Sequence, residues 1–533
     1  MSGCFRMRVG SNMSGLLCMA LTMMASAVTF AQAIAVTPRT MPRVGTVDER
    51  FQSFNIEMLE VTGGRFWKPY ASQSDTPKAA DAEAKSAPVG MDPSLYEYRK
   101  PVHLDNPRLR KLAQALAPAY VRFSGTWANS TYFQDTDGEP MKTPPAGFNG
   151  VLTRTQWKGA VDFARAANLD LVTSFTTSVG TRDSAGVWTP AEAQKFLDYT
   201  HAAGGSIAAA EFMNEPTFAA IGGAPKGYDA AAFARDLAVF KPYVKKAEPK
   251  MVLLGPGSVM EGGRVALPPM GMLKTEDLLK ATGDAFDGFS FHFYGAVSER
   301  CAKGPGAVAG TTRDAALSAD WLARTEGTEA FYVELRDRYA PGKPLWITET
   351  ADAACGGDPW AKTFLDSFRY LNQLGTMAKH GVQVVMHNTL DASDYGLLDE
   401  NTYEPRPNYW SALLWRKLMG TTVLDAGTSP SPDLHLYAQC LRGSQGGVAV
   451  LAINADRKAS YTLQLPVDAD RYTLSAVELE SGHVDLNGVT LALGTGDQLP
   501  ALRGKSLRAG SVTLTPATIT FLAMPKAANA ACR

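Results

Sequence analysis

The stretches Ala-Glu-Phe-Met-Asn-Glu-Pro, residues 210–216, and Leu-Trp-Ile-Thr-Glu-Thr, residues 345–350, decide the fold of this chain. Each is an apolar, strand-like run that leads into a glutamate, Glu215 in the first and Glu349 in the second. In a barrel of parallel strands, a carboxylate just past the carboxyl end of a strand lies on the catalytic face. Two such glutamates on different strands are the minimum that glycoside hydrolysis needs. The pair therefore predicts both a barrel and the chemistry of its open face.

Eight short apolar runs alternate with amphipathic, helical stretches along most of the chain. They cover residues 51–57, 119–125, 169–176, 207–214, 251–255, 288–294, 344–349 and 382–388. Eight strands that alternate with helices predict an α/β fold, the (β/α)8 TIM barrel. A doubly wound open sheet is the alternative, although the Gly-x-Gly-x-x-Gly opening that is usual in that fold is missing.

The pattern of residue types changes after about residue 415. The segments that follow are short, rich in β-forming residues and broken by Gly, Asp and Asn, without helical periodicity. This pattern predicts a C-terminal all-β sandwich over residues 416–533, after a catalytic barrel over residues 51–415. We expect residues 34–50 to add a strand to the sandwich.

The start of the chain has the features of an export signal. Arg6 and Arg8 form a basic beginning, an apolar stretch follows, and Ala31-Gln32-Ala33 fits the small-x-small rule for cleavage. We therefore expect residues 1–33 to be a signal peptide and the mature protein to be secreted or periplasmic, with no membrane attachment. The alternative is that the apolar stretch stays as a membrane anchor.

Composition and motifs exclude several classes of function. Charged residues make up 20% of the chain and the formal net charge is -1, so no strongly basic face is implied and nucleic acid is a poor partner. The sequence has no Gly-x-Ser-x-Gly elbow, no His-x-x-x-His or Cys-x-x-Cys metal spacing and no phosphate-binding loop. We expect a hydrolase that uses neither metal nor cofactor.

The four cysteines beyond the signal form an even set, as expected in an oxidising compartment. Four cysteines allow three pairings, of which we favour Cys440 with Cys532 and Cys301 with Cys355. The first bridge would tie the last residues of the chain to an earlier strand.

Other predicted strand ends carry groups that suit a sugar site. His292 and Tyr294 alternate around Phe293 and so point to the same side, where they could hold a carboxylate or simply pack. Asn214, beside the first glutamate, has an amide that can bond a sugar hydroxyl. Arg122 lies inside the second strand, and both a structural pairing with a buried carboxylate and a catalytic role stay open.

Three segments carry a resemblance to a known family. They are the run of residues 106–126 that ends in Val-Arg-Phe-Ser-Gly-Thr, the run 345–350 followed by Gly356-Gly357, and the run Asp-Tyr-Gly-Leu-Leu-Asp-Glu-Asn at 394–401 followed by Pro-Asn-Tyr-Trp at 407–410. Together they resemble glycoside hydrolase family 79, the family of heparanase and the exo-acting β-glucuronidases. The similarity extends from about residue 51 to the end of the chain.

The resemblance implies a retaining mechanism in which Glu215 is the acid/base and Glu349 is the nucleophile. It also implies that Gly356, Gly357 and Tyr395 bind the carboxylate of a uronic acid, which backbone N–H groups and a phenol can do through charge-assisted hydrogen bonds. Further positions that match the lining of the family's pocket are Glu57, Thr126, Asn214, His292, Tyr294 and Asn388.

The chain departs from the heparanase pattern in a few places. Glu57 stands where heparanase has an aspartate, Asn388 stands where it has a glutamine, and one extra residue separates the nucleophile from the glycine pair. Cys440 and Cys532 match a disulfide of the family, whereas the bridge between Cys301 and Cys355 has no counterpart there.

The predicted substrate is a carbohydrate that contains glucuronic acid. Residues 257–266 are nearly uncharged, although a polysulfated chain would need a cationic groove, and residues 55–70 resemble bacterial exo-β-glucuronidases. We therefore expect removal of terminal β-linked glucuronic acid from glycans or glycosides. Endo cleavage of heparan sulfate-type chains is the alternative. A sugar-binding protein without catalysis is a remote third, which the presence of both glutamates disfavours.

Overall fold

A computed structural model describes residues 33–70, 92–263, 272–302 and 310–533. All but the last residue of the predicted signal peptide, and the end of the uncharged stretch 257–266, lie outside the described residues. Among the described residues, no helix combines the length and the apolar character that a membrane crossing requires.

Eight parallel strands form a closed barrel, which confirms the predicted (β/α)8 fold and excludes the open sheet. The strands follow one another around the barrel in chain order, and the eighth pairs with the first through Val385 and Gln52. Each of the eight predicted runs overlaps one strand. Barrel strands one to eight are Gln52–Glu57, Ala119–Ser124, Leu169–Ser174, Ile207–Glu211, Val252–Ser258, Gly288–Val297, Leu345–Ala354 and Val384–His387.

The inside of the barrel changes from apolar to polar along the strands. Val172, Ala209, Leu254, Trp346 and Met386 form a separate buried cluster that fills the interior. Because side chains alternate along a strand, the residue two positions later faces the same way. The interior is therefore packed with hydrocarbon below and carries polar groups at the carboxyl ends of the strands.

One main helix follows each barrel strand and covers the outside of the barrel. These helices are Pro107–Ala115, Arg154–Ala166, Ala191–Ala202, Ala230–Ala247, Thr275–Thr282, Arg324–Tyr339, Phe364–Lys379 and Pro407–Leu418. Two shorter helices, Met58–Thr62 and Ala319–Leu322, lie among them. The first main helix shows why the sequence starts helices where it does: the side chain of Asn106 accepts hydrogen bonds from two backbone N–H groups and proline stands at the first helical position.

Two small pairs of strands lie in the connections near the first strands of the barrel. Gly64–Trp67 pairs antiparallel with Tyr96–Arg99, and Thr131–Gln134 pairs parallel with Gly150–Thr153. Trp67 stacks on Tyr96 with ring centroids 4.5 Å apart.

The remaining strands form two sheets that face each other over a buried apolar cluster. The smaller sheet consists of Ile34–Ala35, Tyr461–Leu465 and Gly510–Leu514. The larger sheet contains Arg43–Thr46, Met419–Leu424, Leu434–Leu441, Val448–Asn454, Ala469–Ser475, Asp485–Leu486, Val489–Thr490, Lys505–Leu507 and Thr518–Met524. The two N-terminal strands thus take part in sheets that are otherwise built from the last part of the chain.

The helix Phe364–Lys379 lies between the barrel and the larger sheet and is buried on almost every side. Tyr437 of the sheet donates a hydrogen bond of 2.6 Å to the side chain of Asn372 on this helix. Gln373 of the helix donates one of 2.9 Å to Thr350, the residue after Glu349. A helix that is buried all round serves as core, so the sheet and the seventh barrel strand share one packed interior.

Two disulfide bonds are present in the described part of the chain. One joins Cys440, in a strand of the larger sheet, to Cys532 at the end of the chain. The other joins Cys301 to Cys355 and so ties the segment after strand six to the end of strand seven.

Candidate active site

Most of the residues predicted to line a pocket lie at the carboxyl ends of the barrel strands or in the segments that follow them. His292, Tyr294 and Glu349 lie instead within strands six and seven, which do not end at residues 294 and 349 as predicted but run on to Val297 and Ala354. Hydrogen bonds join eight of the predicted residues into one buried network with Arg122 and Glu211. These eight are Glu57, Asn214, Glu215, His292, Tyr294, Glu349, Asn388 and Tyr395. Thr126 begins a short 3₁₀ turn beyond strand two, and Gly356 and Gly357 lie in the loop after strand seven.

Glu349 is a buried carboxylate with a donor on each oxygen. Tyr294 donates its phenolic O–H to one oxygen at 2.6 Å, and Arg122 donates to the other at 2.8 Å. Burial by itself would raise the pKa of Glu349, but the positive charges of His292 and Arg122 and the Tyr294 hydrogen bond outweigh it and lower the pKa. The group is therefore held as an anion with a fixed orientation.

Glu215 stands in a tight turn just past strand four. Its φ of 47° places it in the left-handed region, directly before Pro216. The carboxylate of Glu215 lies 3.0 Å from His292 Nδ1, and 16% of the Glu215 side chain is exposed. Burial, together with the negative charge of Glu349, raises the pKa of Glu215 even though His292 opposes the shift. The opposite shifts favour a proton on Glu215, the more accessible of the two carboxyl groups, over one on Glu349.

The two carboxyl groups lie side by side. A carboxylate oxygen of Glu215, one of Glu349 and a ring nitrogen of His292 all lie within 4.8 Å of one another. This spacing would admit a metal ion. However, the charge of Arg122 already neutralises Glu349, and His292 carries a proton where a metal ligand needs a lone pair. The three groups are better suited to proton transfer than to holding a metal.

Arg122 is the centre of this network. Its guanidinium is buried and contacts Glu349, Glu211 at 2.9 Å and the side-chain oxygen of Asn214 at 2.7 Å. It therefore pairs with a buried carboxylate, Glu211, which is the structural role that the sequence left open, and it also contacts Glu349.

His292 lies among three carboxylates. Burial by itself would lower its pKa, and Arg122 opposes a second positive charge at 3.3 Å. The negative charge of Glu349 and the hydrogen bonds with Glu211 and Glu215 outweigh both effects and raise the pKa of His292 to about 10. The ring is therefore an imidazolium at neutral pH.

A second group of polar side chains lies on the other side of Glu349. The side-chain N–H group of Asn388 lies 3.2 Å from Glu57, 3.1 Å from the Tyr294 oxygen and 3.2 Å from the Tyr395 oxygen. The second oxygen of Glu57 is buried and has no hydrogen-bond partner within the described part of the chain. Burial, and then repulsion from Glu349, raise the pKa of Glu57 well above its ordinary value. The shift favours the protonated form of Glu57, which can donate a hydrogen bond.

The glycine pair has left-handed backbone geometry and lies close to Tyr395. Both φ values are +83°, and a side chain at Gly357 would come within 3.1 Å of the Tyr395 nitrogen. The N–H of Gly357 donates to the carbonyl of Ala353 at 3.2 Å. A carboxylate that binds there would have to take this N–H from the loop's own hydrogen bond.

Charged residues brace the loop that carries Tyr395. Arg300 donates to Asp394 at 2.6 Å and lies over the ring of Tyr70, 4.0 Å from its centroid. Lys362 donates to the other oxygen of Asp394 at 3.0 Å. Arg406 donates to the carbonyls of Ser393 and Asp394. Three cationic side chains thus donate hydrogen bonds to this loop, and one of them, Arg300, directly precedes Cys301 in the chain.

Sequence reasoning missed Glu211, which has no exposure to solvent and bonds Arg122. The signal was the glutamate itself, which interrupts the apolar strand four residues before Glu215. Arg300 and Asp394 were not predicted either, because their partners come from loops that are distant in sequence.

Comparisons with known proteins agree with this geometry. The family model described as Glycosyl hydrolase family 79, N-terminal domain, matches residues 101–375. Heparanase from Mus musculus is 29% identical over 84% of this chain and 90% of its own length. Baicalin-beta-D-glucuronidase from Scutellaria baicalensis is 34% identical over 36% of this chain and 38% of its own. A 4-O-alpha-L-rhamnosyl-beta-D-glucuronidase from Fusarium oxysporum shares the fold, with a TM-score of 0.60 at 13% identity over 92% of this chain and 100% of that one.

Proposed function

The chain belongs to glycosyl hydrolase family 79, and from this premise we propose that it removes terminal β-linked glucuronic acid from glycans or glycosides by a retaining mechanism. One observation carries the proposal. One oxygen of Glu215 lies within 4.8 Å of one oxygen of Glu349, and the two groups have opposite environments, with a raised pKa for Glu215 and a lowered pKa for Glu349. Retaining enzymes need their carboxyl groups about 5–5.5 Å apart, whereas inverting enzymes leave roughly 6.5–9.5 Å for a water molecule.

In the first step, Glu349 attacks the anomeric carbon while Glu215 gives its proton to the glycosidic oxygen. A covalent bond forms between the Glu349 carboxylate and the sugar, and the protonated leaving group departs. Tyr294 and Arg122 aim the attacking carboxylate through their two hydrogen bonds. In the second step, Glu215 takes a proton from water, the water oxygen attacks the same carbon, and Glu349 is released.

The groups around Glu57, Asn388 and Tyr395 would bind the sugar ring. A neutral Glu57 donates to a hydroxyl, and the Tyr395 phenol with the Gly356-Gly357 backbone receives the substrate carboxylate through charge-assisted hydrogen bonds. Recognition of this kind requires no salt bridge. Support comes from the similarity to relatives that are named as acting on glucuronides.

Cleavage within a heparan sulfate-type chain is the second candidate. It is supported by the similarity to a heparanase over 84% of this chain. The two candidates differ in their products, since an exo enzyme releases single glucuronic acid residues and an endo enzyme shortens the polymer.

We also propose that the protein works outside the cytoplasm after removal of its signal. Its two disulfide bonds support this proposal, because such bonds persist in oxidising compartments.

The test is a panel of aryl β-glucuronides, the matching β-glucosides and heparan sulfate, with product size and anomeric configuration followed by NMR. We expect β-glucuronic acid as the first-formed product and long chains that keep their size. First-formed α-glucuronic acid would refute retention, and rapid shortening of the polymer would favour the endo candidate. No hydrolysis of any glucuronide would leave a sugar-binding protein.

A further inference from the structure

Glu211 is a fully buried carboxylate to which the reaction proposed above gives no step. It is the last residue of barrel strand four and has no exposure to solvent. A buried charge is costly unless it is paired and hydrogen-bonded. Its partners therefore indicate what it does.

Both oxygens of Glu211 are occupied by neighbours from other strands. One oxygen accepts hydrogen bonds of 2.7 Å from the hydroxyl groups of Ser290, on strand six, and Thr348, on strand seven. The other accepts from Arg122, on strand two, at 2.9 Å and lies 3.7 Å from His292 Nε2. One side chain thus joins four strands of the barrel.

Three of these four partners adjoin a catalytic carboxyl group. Arg122 donates to Glu349 at 2.8 Å, and Thr348 precedes Glu349 in the chain. His292 lies 3.0 Å from Glu215 and 3.7 Å from Glu349. Glu211 touches neither catalytic carboxyl group in any of these contacts, yet it reaches both through the cations between them.

The barrel leaves a defined space for this side chain. Gly257, on strand five, has a φ of +73°, and a side chain there would come within 2.9 Å of the Glu211 carboxylate. Strand five therefore contributes a glycine where the carboxylate approaches closely.

We propose that Glu211 is a positioning residue that holds Arg122 and His292 against the catalytic pair and supplies the negative charge that balances them. This inference rests on the roles proposed above for Glu215 and Glu349. With Glu211 and Glu349 as anions and Arg122 and His292 as cations, the buried cluster is neutral while Glu215 keeps its proton.

Loss of the Glu211 charge would lower the pKa of every titrating group in the cluster. Removal of a nearby negative charge favours the less protonated form of each neighbour. The depressed pKa of Glu211 and the raised pKa of His292 agree with this mutual stabilisation. The titratable or charged groups that face the cluster are Glu57, Arg122, Glu215, His292, Tyr294 and Glu349.

The test is Glu211→Gln, which keeps the shape of the side chain and removes its charge. We expect kcat on an aryl β-glucuronide to fall about a hundred-fold, since a misplacement of about 1 Å can cost this much, while KM changes little. The alkaline limb of the kcat/KM profile should move to lower pH, because Glu215 loses its proton more readily.

Glu248→Gln is the matched control. Glu248 is also buried and bonded to a histidine, His201, at 2.6 Å, but it lies near Ile207 at the opposite end of the same strand. This variant should lose thermal stability and keep the wild-type kcat and pH profile per folded molecule.

An unchanged pH profile for Glu211→Gln, with kcat reduced only in proportion to the folded fraction, would overturn the inference. If that variant does not fold, the pair Ser290→Ala and Thr348→Val removes two hydrogen bonds and keeps every charge. A lower kcat with the wild-type profile then supports positioning, and a wild-type kcat overturns it. Failure of the proposed function would instead be visible in the wild-type protein, as absence of glucuronide hydrolysis.

Discussion

Glu215 and Glu349 carry the same chemical group, and their neighbours assign them different protonation states. Glu349 receives hydrogen bonds from Tyr294 and Arg122, both buried, whereas Glu215 faces His292 and keeps part of its side chain in contact with solvent. Charge placement of this kind separates an acid from a nucleophile within one pocket. The different properties of the two carboxyl groups therefore depend on the side chains that surround them.

Replacement of the two carboxyl groups should have different effects. Glu349→Gln should abolish turnover of every glycoside, since no nucleophile remains. Glu215→Ala should spare the first step on aryl glucuronides with good leaving groups, which need little protonation. Burst kinetics with a series of phenyl glucuronides would measure this, and equal losses across the series would contradict the assignment of Glu215 as the acid.

The pH dependence follows from the same two shifts. The lowered pKa of Glu349 makes the nucleophile available above an acid limb that lies below the ordinary glutamate value of 4.5, and activity is lost as pH falls through it. The raised pKa of Glu215 places the alkaline limb above 4.5, and activity is lost as pH rises through it. A kcat/KM profile of the wild type should be bell-shaped, and Glu215→Ala should remove the alkaline limb. Persistence of that limb in the variant would assign it to another group.

Selectivity for the uronic acid should depend on Tyr395. Tyr395→Phe removes one charge-assisted hydrogen bond, worth about 1.5–3 kcal/mol, so kcat/KM on a β-glucuronide should fall roughly ten- to a hundred-fold. The matching β-glucoside, which has no carboxylate, should change little. Equal losses on both substrates would show that the phenol supports Asn388 and the fold of the site instead.

At the scale of elements, two loops from neighbouring strands are fastened together beside the glycine pair. The disulfide joins Cys301 to Cys355, and Ser298 and Arg300 both donate to the carbonyl of Gly357. A loop with so many fixed points keeps its backbone N–H groups and its left-handed glycines in place without a ligand.

Loss of this bridge should therefore weaken substrate binding. In a Cys301→Ser, Cys355→Ser double variant, KM for a glucuronide should rise about ten-fold, equivalent to about 1.4 kcal/mol, with a smaller change in kcat. The double variant of Cys440 and Cys532 is the control: it should lose stability, by up to about 4–5 kcal/mol in the chain-entropy model, and keep KM. A wild-type KM in the first variant would show that the bridge serves stability alone.

The sequence predicted all eight barrel strands and the two glutamates because short-range patterns carry that information. Short apolar runs are visible along a single stretch of chain. The ends of strands six and seven were not predicted correctly, because both strands run on to Val297 and Ala354. Glu211 and Arg300 were missed because their functions depend on partners from other strands, and a buried ion pair has no local pattern. The roles assigned to the pocket residues stay predictions until variants are measured, and so do the domain limits at residues 51–415 and 416–533.

At the scale of the whole molecule, the barrel and the larger sheet share the helix Phe364–Lys379. Gly375 of this helix has no room for a side chain, because a Cβ there would lie 2.3 Å from the ring of Tyr437 on the sheet. The contact between the two parts of the molecule is therefore as close as the packing within each part.

Gly375→Ala should lower the free energy of unfolding by about 1–3 kcal/mol, the usual cost of overpacking. Gly159→Ala is the control, since it lies in the helix Arg154–Ala166 with nothing within 4 Å and should stabilise by roughly 0.5–1 kcal/mol. Adding Tyr437→Ala should restore part of the loss at position 375. Denaturant unfolding of the three variants measures this, and two separate transitions in the wild type would contradict a shared interior.

Residues 34–41 meet residues near 463 and 529 in the two sheets. Ile34 and Ala35 pair with a strand near residue 463, and the side chain of Asn529 donates to the carbonyls of Pro38 and Met41. During synthesis, the first strands therefore cannot pair until most of the chain has been made, because their partners are synthesised late. Until these partner strands have been synthesised, the backbone N–H and C=O groups of the N-terminal strands stay unpaired. The nascent chain is therefore most prone to aggregation during this period.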